Sequence, residues 1–423
     1  MENTPALILN LVLAIICIWH IIASYLAKDK TKLWSPITFL SLTYLYYCVI
    51  PMFETDGFLN GISSAPYVSL FHFAALLSFV SILFGFHTLN YSLHLNKRKW
   101  VDCFNKINYK KLAVILFVIA LACYIPIRGF RFNIIINDSD ISETLWDEQG
   151  LNYYFASTIS LFVTSCSLLI ARFKENKILF IIIFWITLVT YIVSGFRYRI
   201  VILVISMFTT YYLYDRSRKI RVVPVFFVGF VFYILFNVMD VARSYGSGLR
   251  AESIQEVVIT KKAGETDHVY NYSAIMIGRY QESGRLDYFD PIINAICFPL
   301  PRLIFPWKPK AEYAFEGSDF AMRGNAGSAY MGFVEAFMAF SWIGIIINGI
   351  FVGWLARRFW NFYRKYPDSM VAIITLAIFN GFTYVIVSRG YLSMQLNVFL
   401  YFICLPLLFV RLINKVVNYS HKC

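Results

Sequence analysis

The stretch ILFIIIFWITLVTYIVSGFRYRIVILVISMF, residues 178–208, decides the fold class. Two long apolar runs are divided only by the short turn Ser194-Gly195-Phe196-Arg197-Tyr198-Arg199. A bilayer core about 30 Å thick takes about 20 apolar residues per helix. Backbone groups in lipid must be satisfied within their own segment, so such runs cross as helices. They are too long and too uniform for the ten-residue alternation of a membrane barrel. Working outward, the pattern repeats along all 423 residues, which are 59% hydrophobic and 15% charged. Soluble domains carry about 25% charged residues. Apolar runs begin near Ala6, Ser35, Tyr67, Leu112, Tyr153, Ile178, Ile200, Val222, Met331, Ser369 and Tyr391, and the last ends near Ile413. The expectation is an all-α integral membrane protein of about eleven transmembrane helices, forming one polytopic domain over 1–423.

Charge gives the orientation. Only Met-Glu-Asn-Thr-Pro precedes the first apolar run, whereas Lys28, Lys30 and Lys32 follow it. That order suits a retained helix with its N-terminus outside, not a cleaved signal peptide. Alternating sides from there, the cytoplasmic segments hold 23 Lys and Arg against 5 acids. The outer segments hold 15 Lys and Arg against 20 acids. Cytoplasmic enrichment of Lys and Arg supports both the count and the orientation. The net charge of +13 is therefore largely topological, and nucleic acid is excluded as its explanation. The C-terminus falls on the cytoplasmic side.

Cysteine and histidine offer little. Cys17, Cys48, Cys123, Cys166 and Cys404 fall within apolar runs, and no CxxC pair exists. A disulfide framework or structural zinc site is not expected. Among the histidines only His268 lies clearly in an outer loop. No metal and no cofactor are expected.

One loop is exceptional. Residues 243–328 hold ten basic and ten acidic residues and many aromatics, among them Tyr270, Tyr272, Tyr280, Tyr288 and Trp307. Aromatics are scarce in disordered chains, and a loop of this length is more often functional than idle. Within it, Ile292–Phe305 is apolar but too short to span, and Pro291, Pro299, Pro301, Pro306 and Pro309 punctuate it. It reads as a segment at the outer interface, or as the packed core of the loop.

Arginines at helix ends carry the chemistry. Arg197 and Arg199 lie in one tight outer turn, and Arg389 lies in another, Ser388-Arg389-Gly390. Basic residues are depleted on that side, and arginine at the membrane boundary is costly. Such residues either snorkel to headgroups or bind phosphate oxygens through the planar guanidinium. The loop adds Arg302 and Lys308 beside the proline-rich segment, and Arg323 in the glycine-containing run Arg323-Gly324-Asn325-Ala326-Gly327. Arg243 stands just past the end of a span. Glu335 lies about one turn into the span after the loop, where a carboxylate either serves as a general base or pairs with an arginine. Asp240 and Asp319 are weaker candidates for the base. Glu54 and Asp56 form an acidic pair whose plainer reading is a solvated turn with Gly57.

These residues resemble a family. Ser194-Gly195-Phe196-Arg197 looks like the Ser-Gly-x-Arg turn of bacterial O-antigen (Wzy-type) polymerases, the oligosaccharide repeat unit polymerases. Pro301-Arg302-Leu303-Ile304-Phe305-Pro306-Trp307-Lys308-Pro309 resembles the Pro-Arg-x-x-x-Pro-x-Lys-Pro segment of their periplasmic loop. Gly332-Phe333-Val334-Glu335-Ala336-Phe337, then Phe340-Ser341-Trp342-Ile343-Gly344, is similar to the start of their next helix. Phe340-Ser341 is the departure, standing where Phe-Gly or a similar small step is expected.

The resemblance implies a GT-C-like glycosyltransferase of the bacterial inner membrane. It implies no metal, and undecaprenyl-pyrophosphate-linked oligosaccharides as both donor and acceptor. Arginines would hold the pyrophosphate, Glu335 would take the hydroxyl proton, and a chain-length regulator protein is a conceivable partner. Two rivals stay open. An O-antigen ligase would rely on an outer histidine, for which His268 is the candidate. A lipid-linked oligosaccharide flippase or transporter is expected to show paired repeats, and no internal repeat is present.

Overall fold

The computed structural model describes residues 4–54, 65–89, 108–128, 157–218, 265–300 and 329–420, with isolated short pieces elsewhere. The helices are α1 (Thr4–Leu26), α2 (Pro36–Tyr44), α3 (Ala65–Thr88), α4 (Tyr109–Arg128), α5 (Leu161–Ala171), α6 (Phe173–Ser194) and α7 (Arg197–Tyr214). They continue with α8 (Glu265–Ser283), α9 (Asp290–Cys297), α10 (Gly332–Lys365), α11 (Met370–Ser388), α12 (Leu392–Phe399) and α13 (Leu405–Ser420). Among the described residues, eight helical stretches are long and apolar enough to cross a membrane. The protein is thus a multi-pass helical membrane protein. Their outward side chains fit lipid: Trp19 and Ile178 are 67% and 77% exposed, a liability in water.

Eight of the eleven expected spans correspond to these stretches, and the other three differ for separate reasons. The segment near Tyr153 contains a shorter apolar helix, Ser157–Ala171. Helix α7 has 18 residues, but Arg197, Arg199, Thr209, Thr210, Tyr211 and Tyr212 lower its hydropathy. The run from Val222 lies outside the continuously described residues. The all-α expectation holds, with three very short strands beside the helices. Strands β1 (Ile135–Ile136), β2 (Arg243–Ser244) and β3 (Gly248–Arg250) form a sheet in which β3 pairs parallel with β1 and antiparallel with β2.

The chain forms two compact units. The first comprises Met1–Ser92, Glu265–Asn361 and Thr383–Val398. In it, Gly349 and Gly353 of α10 lie against the backbone of α3 at Ser78 and Ile82, too close for a Cβ. Small residues four apart let membrane helices approach in this way. Buried polar groups here pair with one another: Tyr44 Oη with Ser78 Oγ at 2.8 Å, His72 Nε2 with Tyr270 Oη at 2.8 Å, and Tyr47 Oη with Tyr384 Oη at 2.6 Å.

Helix α10 is broken. Phe340 has φ −139° and ψ 26°, and Ser341 has φ 54° and ψ −146°. The break turns the later amides away from the Met338 and Ala339 carbonyls. The amides of Asp287 and Tyr288 take their place, at 2.9 and 3.0 Å. The segment after α8 is thereby fixed to the first half of α10. Ser341 occupies a backbone conformation that suits glycine, the residue expected there from the resemblance. Such a conformation costs a non-glycine residue about 1–3 kcal/mol. Glycine returns about 0.5–1 kcal/mol of this through its freer unfolded chain. Ser341→Gly is therefore expected to stabilise the protein by about 1 kcal/mol. Unfolding in detergent checks this, and unchanged or lower stability would contradict it.

The second unit comprises Leu93–Gly264, Phe362–Phe382 and Phe399–Cys423. Helix α7 packs closely on α11, where Gly381 meets the Ile202 backbone and Ser206 Oγ donates to Ala377 O at 3.2 Å. Ser165 Oγ donates to Ala113 O at 2.8 Å, tying α5 to α4.

Candidate functional site: polar groups at helix ends

In the first unit, two helix ends meet at residues 388–391. The last carbonyls of one helix and the first amides of the next have no partner within their own helix. Side chains supply both sets. Gln395 Nε2 donates to Arg389 O at 2.6 Å and to Ile386 O at 3.3 Å, closing the end of α11. Glu335, buried in the first turns of α10, accepts from the amide of Leu392, the first residue of α12, at 2.5 Å. A carboxyl oxygen there satisfies an amide that has no partner within its own helix. Of the two roles open in sequence, base or ion-pair partner, the described residues show neither directly. Glu335's partner there is a backbone amide, not a guanidinium.

Glycine makes this turn possible. A Cβ on Gly390 would collide with the ring of Tyr330, and one on Gly332 with the carbonyl of Ile386. Tyr330 in turn packs on Tyr391 with ring centroids 5.1 Å apart, and on Tyr272 at 6.4 Å. Gly390→Ala is expected to cost about 1–3 kcal/mol through overpacking and to disturb the Glu335–Leu392 contact. A fall in unfolding midpoint checks it; an alanine variant with wild-type stability would contradict it.

A second buried carboxylate, Asp287, docks against the same half-helix from the segment after α8. The Asp287 amide bonds Met338 O, one turn beyond Glu335. Its side chain accepts from Tyr280 Oη at 2.8 Å and pairs with Arg285 Nε at 3.3 Å. Burial, then the adjacent Asp287 carboxylate, pushes the Tyr280 phenol well above its usual range, so it stays a donor at neutral pH. The sequence reading missed Asp287, Gln395, Tyr330 and Tyr391. Only the one-turn spacing of Gln395 from the Tyr391 turn could have pointed to any of them.

In the second unit the Ser194–Arg199 turn is tighter than its sequence span. Gly195 ends α6 in the left-handed conformation with φ 74°, Phe196 is extended, and α7 begins at Arg197. Arg197 and Arg199 both fall in the first turn of α7, and both are only 4% exposed. The Arg199 guanidinium lies 4.8 Å over the Phe196 ring and 5.8 Å from the Tyr198 ring. Its Nε donates to Tyr198 Oη at 3.4 Å. The start of a helix carries a partial positive charge, and a cation there is disfavoured by about 0.3–2 kcal/mol depending on burial. Stacking on rings returns about 0.5–2 kcal/mol. Both guanidiniums thus lie buried at the positive end of a helix.

The other expected residues divide simply. Arg389 sits half-buried in the 388–391 turn, three residues before the amide that Glu335 caps. The backbone of Arg243 is in β2 and that of His268 in α8. Arg302, Lys308, Arg323, Asp56, Asp240 and Asp319 lie outside the described residues. The apolar stretch from Ile292 begins as α9, whose Ile293 and Ile296 are exposed, in keeping with an interfacial segment.

Apolar helices in these numbers, with arginines and a carboxylate buried at helix ends, define a polytopic membrane protein with polar chemistry placed at the ends of its spans. The model of the family O-antigen polysaccharide polymerase Wzy matches residues 4–421, nearly the whole chain. The chain belongs to that family, and its role is polymerising transfer in polysaccharide biosynthesis. No curated protein and no solved structure matches it.

Proposed function

We propose that the chain joins undecaprenyl-pyrophosphate-linked repeat units at the outer face of the bacterial cytoplasmic membrane. The glycosyl carbon–oxygen bond to the donor's pyrophosphate breaks. A new bond forms to a sugar hydroxyl of one lipid-linked acceptor, and that hydroxyl's proton passes to a carboxylate. Undecaprenyl pyrophosphate leaves with the bonding electrons. The observation that carries the reading is the burial of Arg197 and Arg199 at the positive end of α7. Fixed cations aimed at a departing pyrophosphate stabilise its charge as it develops, and they take the part a metal ion plays elsewhere. Glu335 is the proposed base. Arg389, Arg243, Arg302, Lys308 and Arg323 are proposed contacts to phosphate or glycan.

The rest of the reading follows from charge and hydropathy. The chain crosses about eleven times in a GT-C-like arrangement, as one polytopic domain. Its N-terminus is periplasmic and its C-terminus cytoplasmic, and residues 243–328 belong to one large periplasmic loop. A chain-length regulator protein is a proposed partner. Deleting the gene and resolving surface glycan on a gel tests the polymerase reading. Single-repeat glycan is expected. Bare core would point instead to a ligase or flippase.

A further inference from the structure

In the first unit, helix α2 continues past Tyr44 into a wider, π-helical turn at Leu45–Val49. Pro51 accounts for it. Proline has no amide, and its ring crowds the carbonyl four residues back, here that of Tyr47. The chain widens instead, and the Ile50 amide reaches the Leu45 carbonyl at 2.9 Å. The Phe53 amide bonds Ile50 O at 2.9 Å rather than Val49 O. Asn10 of α1, fully buried, donates its Nδ2 to the Val49 carbonyl at 3.3 Å in its stead. A side chain from a neighbouring helix thus holds the irregular turn. Turns of this kind inside helices are frequent at functional sites.

The central residue of the turn, Tyr47, is fully buried. Its Oη lies 2.6 Å from Tyr384 Oη of α11, with the ring centroids 5.7 Å apart and edge to face. Tyr384 stands about one turn before Arg389 on the same helix end. The Arg389 charge acts directly on the Tyr47 hydroxyl. The Arg389 backbone is fixed on both sides, its amide bonding Val385 O at 3.0 Å and its carbonyl accepting from Gln395 at 2.6 Å. Only the direction of the guanidinium is left to be set.

We infer that Tyr47 is a positioning residue: it donates its hydrogen to Tyr384 and turns its oxygen to the Arg389 guanidinium, aiming that cation at the phosphate or glycan of the substrate. The inference rests on the proposed role of Arg389 as a substrate contact. A phenol suits the place because one hydroxyl both donates and accepts. Tyr384 takes the Tyr47 hydrogen, which leaves the oxygen lone pairs for the positive charge. An arginine held in this way gives up its rotamer freedom before the substrate arrives, and binding then costs less entropy.

Steady-state turnover of undecaprenyl-pyrophosphate-linked repeat units by the purified full-length protein tests it through a double-mutant cycle. Tyr47→Phe keeps the ring and should raise KM about tenfold with little change in kcat, the mark of a lost binding contact. Arg389→Gln should raise KM at least as far. With the guanidinium gone Tyr47 has nothing to aim, so the double variant should be no worse than Arg389→Gln alone. A merely structural Tyr47 would instead lower the unfolding midpoint and multiply the two losses. Tyr384→Phe reaches the same contact from α11 and should reproduce the KM rise, so the test stands even where Tyr47→Phe fails to fold. Unchanged KM in the tyrosine variants, or multiplied losses in the double variant, would overturn the inference and leave the proposed function standing. Wild-type kinetics in Arg389→Gln would overturn the role of Arg389, and the inference with it.

Discussion

Replacing either Arg197 or Arg199 by alanine is expected to abolish long polymer, leaving single-repeat glycan and a normal amount of protein in the membrane. Both guanidiniums are buried in the first turn of α7. The helix itself disfavours cations there, so neither side chain is accounted for by helix stability. Loss of one preorganised donor to a developing oxyanion costs about 10²–10³ in rate. Polymerisation many units long multiplies that deficit, because each added unit repeats the slowed step. Lysine keeps the charge but loses the planar fork that grips two phosphate oxygens. Arg197→Lys and Arg199→Lys should therefore recover short chains at most. The gel banding pattern, normalised to protein level, reads both results. Normal chain lengths in both alanine variants would remove these residues from the site. Full recovery by lysine would remove bidentate phosphate binding.

Glu335→Gln should reduce polymerisation about 10²–10⁴-fold, the usual contribution of a positioned general base. The choice of glutamine separates two roles. Its amide oxygen can still accept the Leu392 amide, so the closure of α12 is preserved. Glutamine cannot take a proton. A variant that folds normally but fails to polymerise marks a base, whereas wild-type polymer from Glu335→Gln would leave Glu335 as a cap alone. Glu335→Ala serves as the contrast, since it removes both the proposed base and the cap and should also lower stability.

Much of the membrane architecture was legible in sequence because hydropathy reports it directly. Runs starting near Ala6, Ser35, Met331, Ser369 and Tyr391 became helical stretches starting at Thr4, Pro36, Gly332, Met370 and Leu392. The Arg197 turn was also legible, through Gly195 and two arginines between apolar runs. The break in α10 was not, because Phe340 and Ser341 sit in a run whose hydropathy continues across them. Only the position of Ser341, where glycine was expected, hinted at a positive φ. Asp287 was invisible for a different reason. Its partners, Tyr280 and the Met338 carbonyl, are set by the docking of a loop onto a broken helix, which no local pattern encodes. The strands at Ile135, Arg243 and Gly248 are too short to show alternation.

The most direct test of the central claim is release of undecaprenyl pyrophosphate per bond formed, using purified full-length protein, lipid-linked repeat units and excess EDTA. The account predicts one released for each repeat joined, with turnover surviving EDTA and falling about 10²–10³-fold in Arg197→Ala. Turnover that stops on chelation and returns with a divalent cation, or an Arg197→Ala enzyme that keeps the wild-type rate, would contradict it.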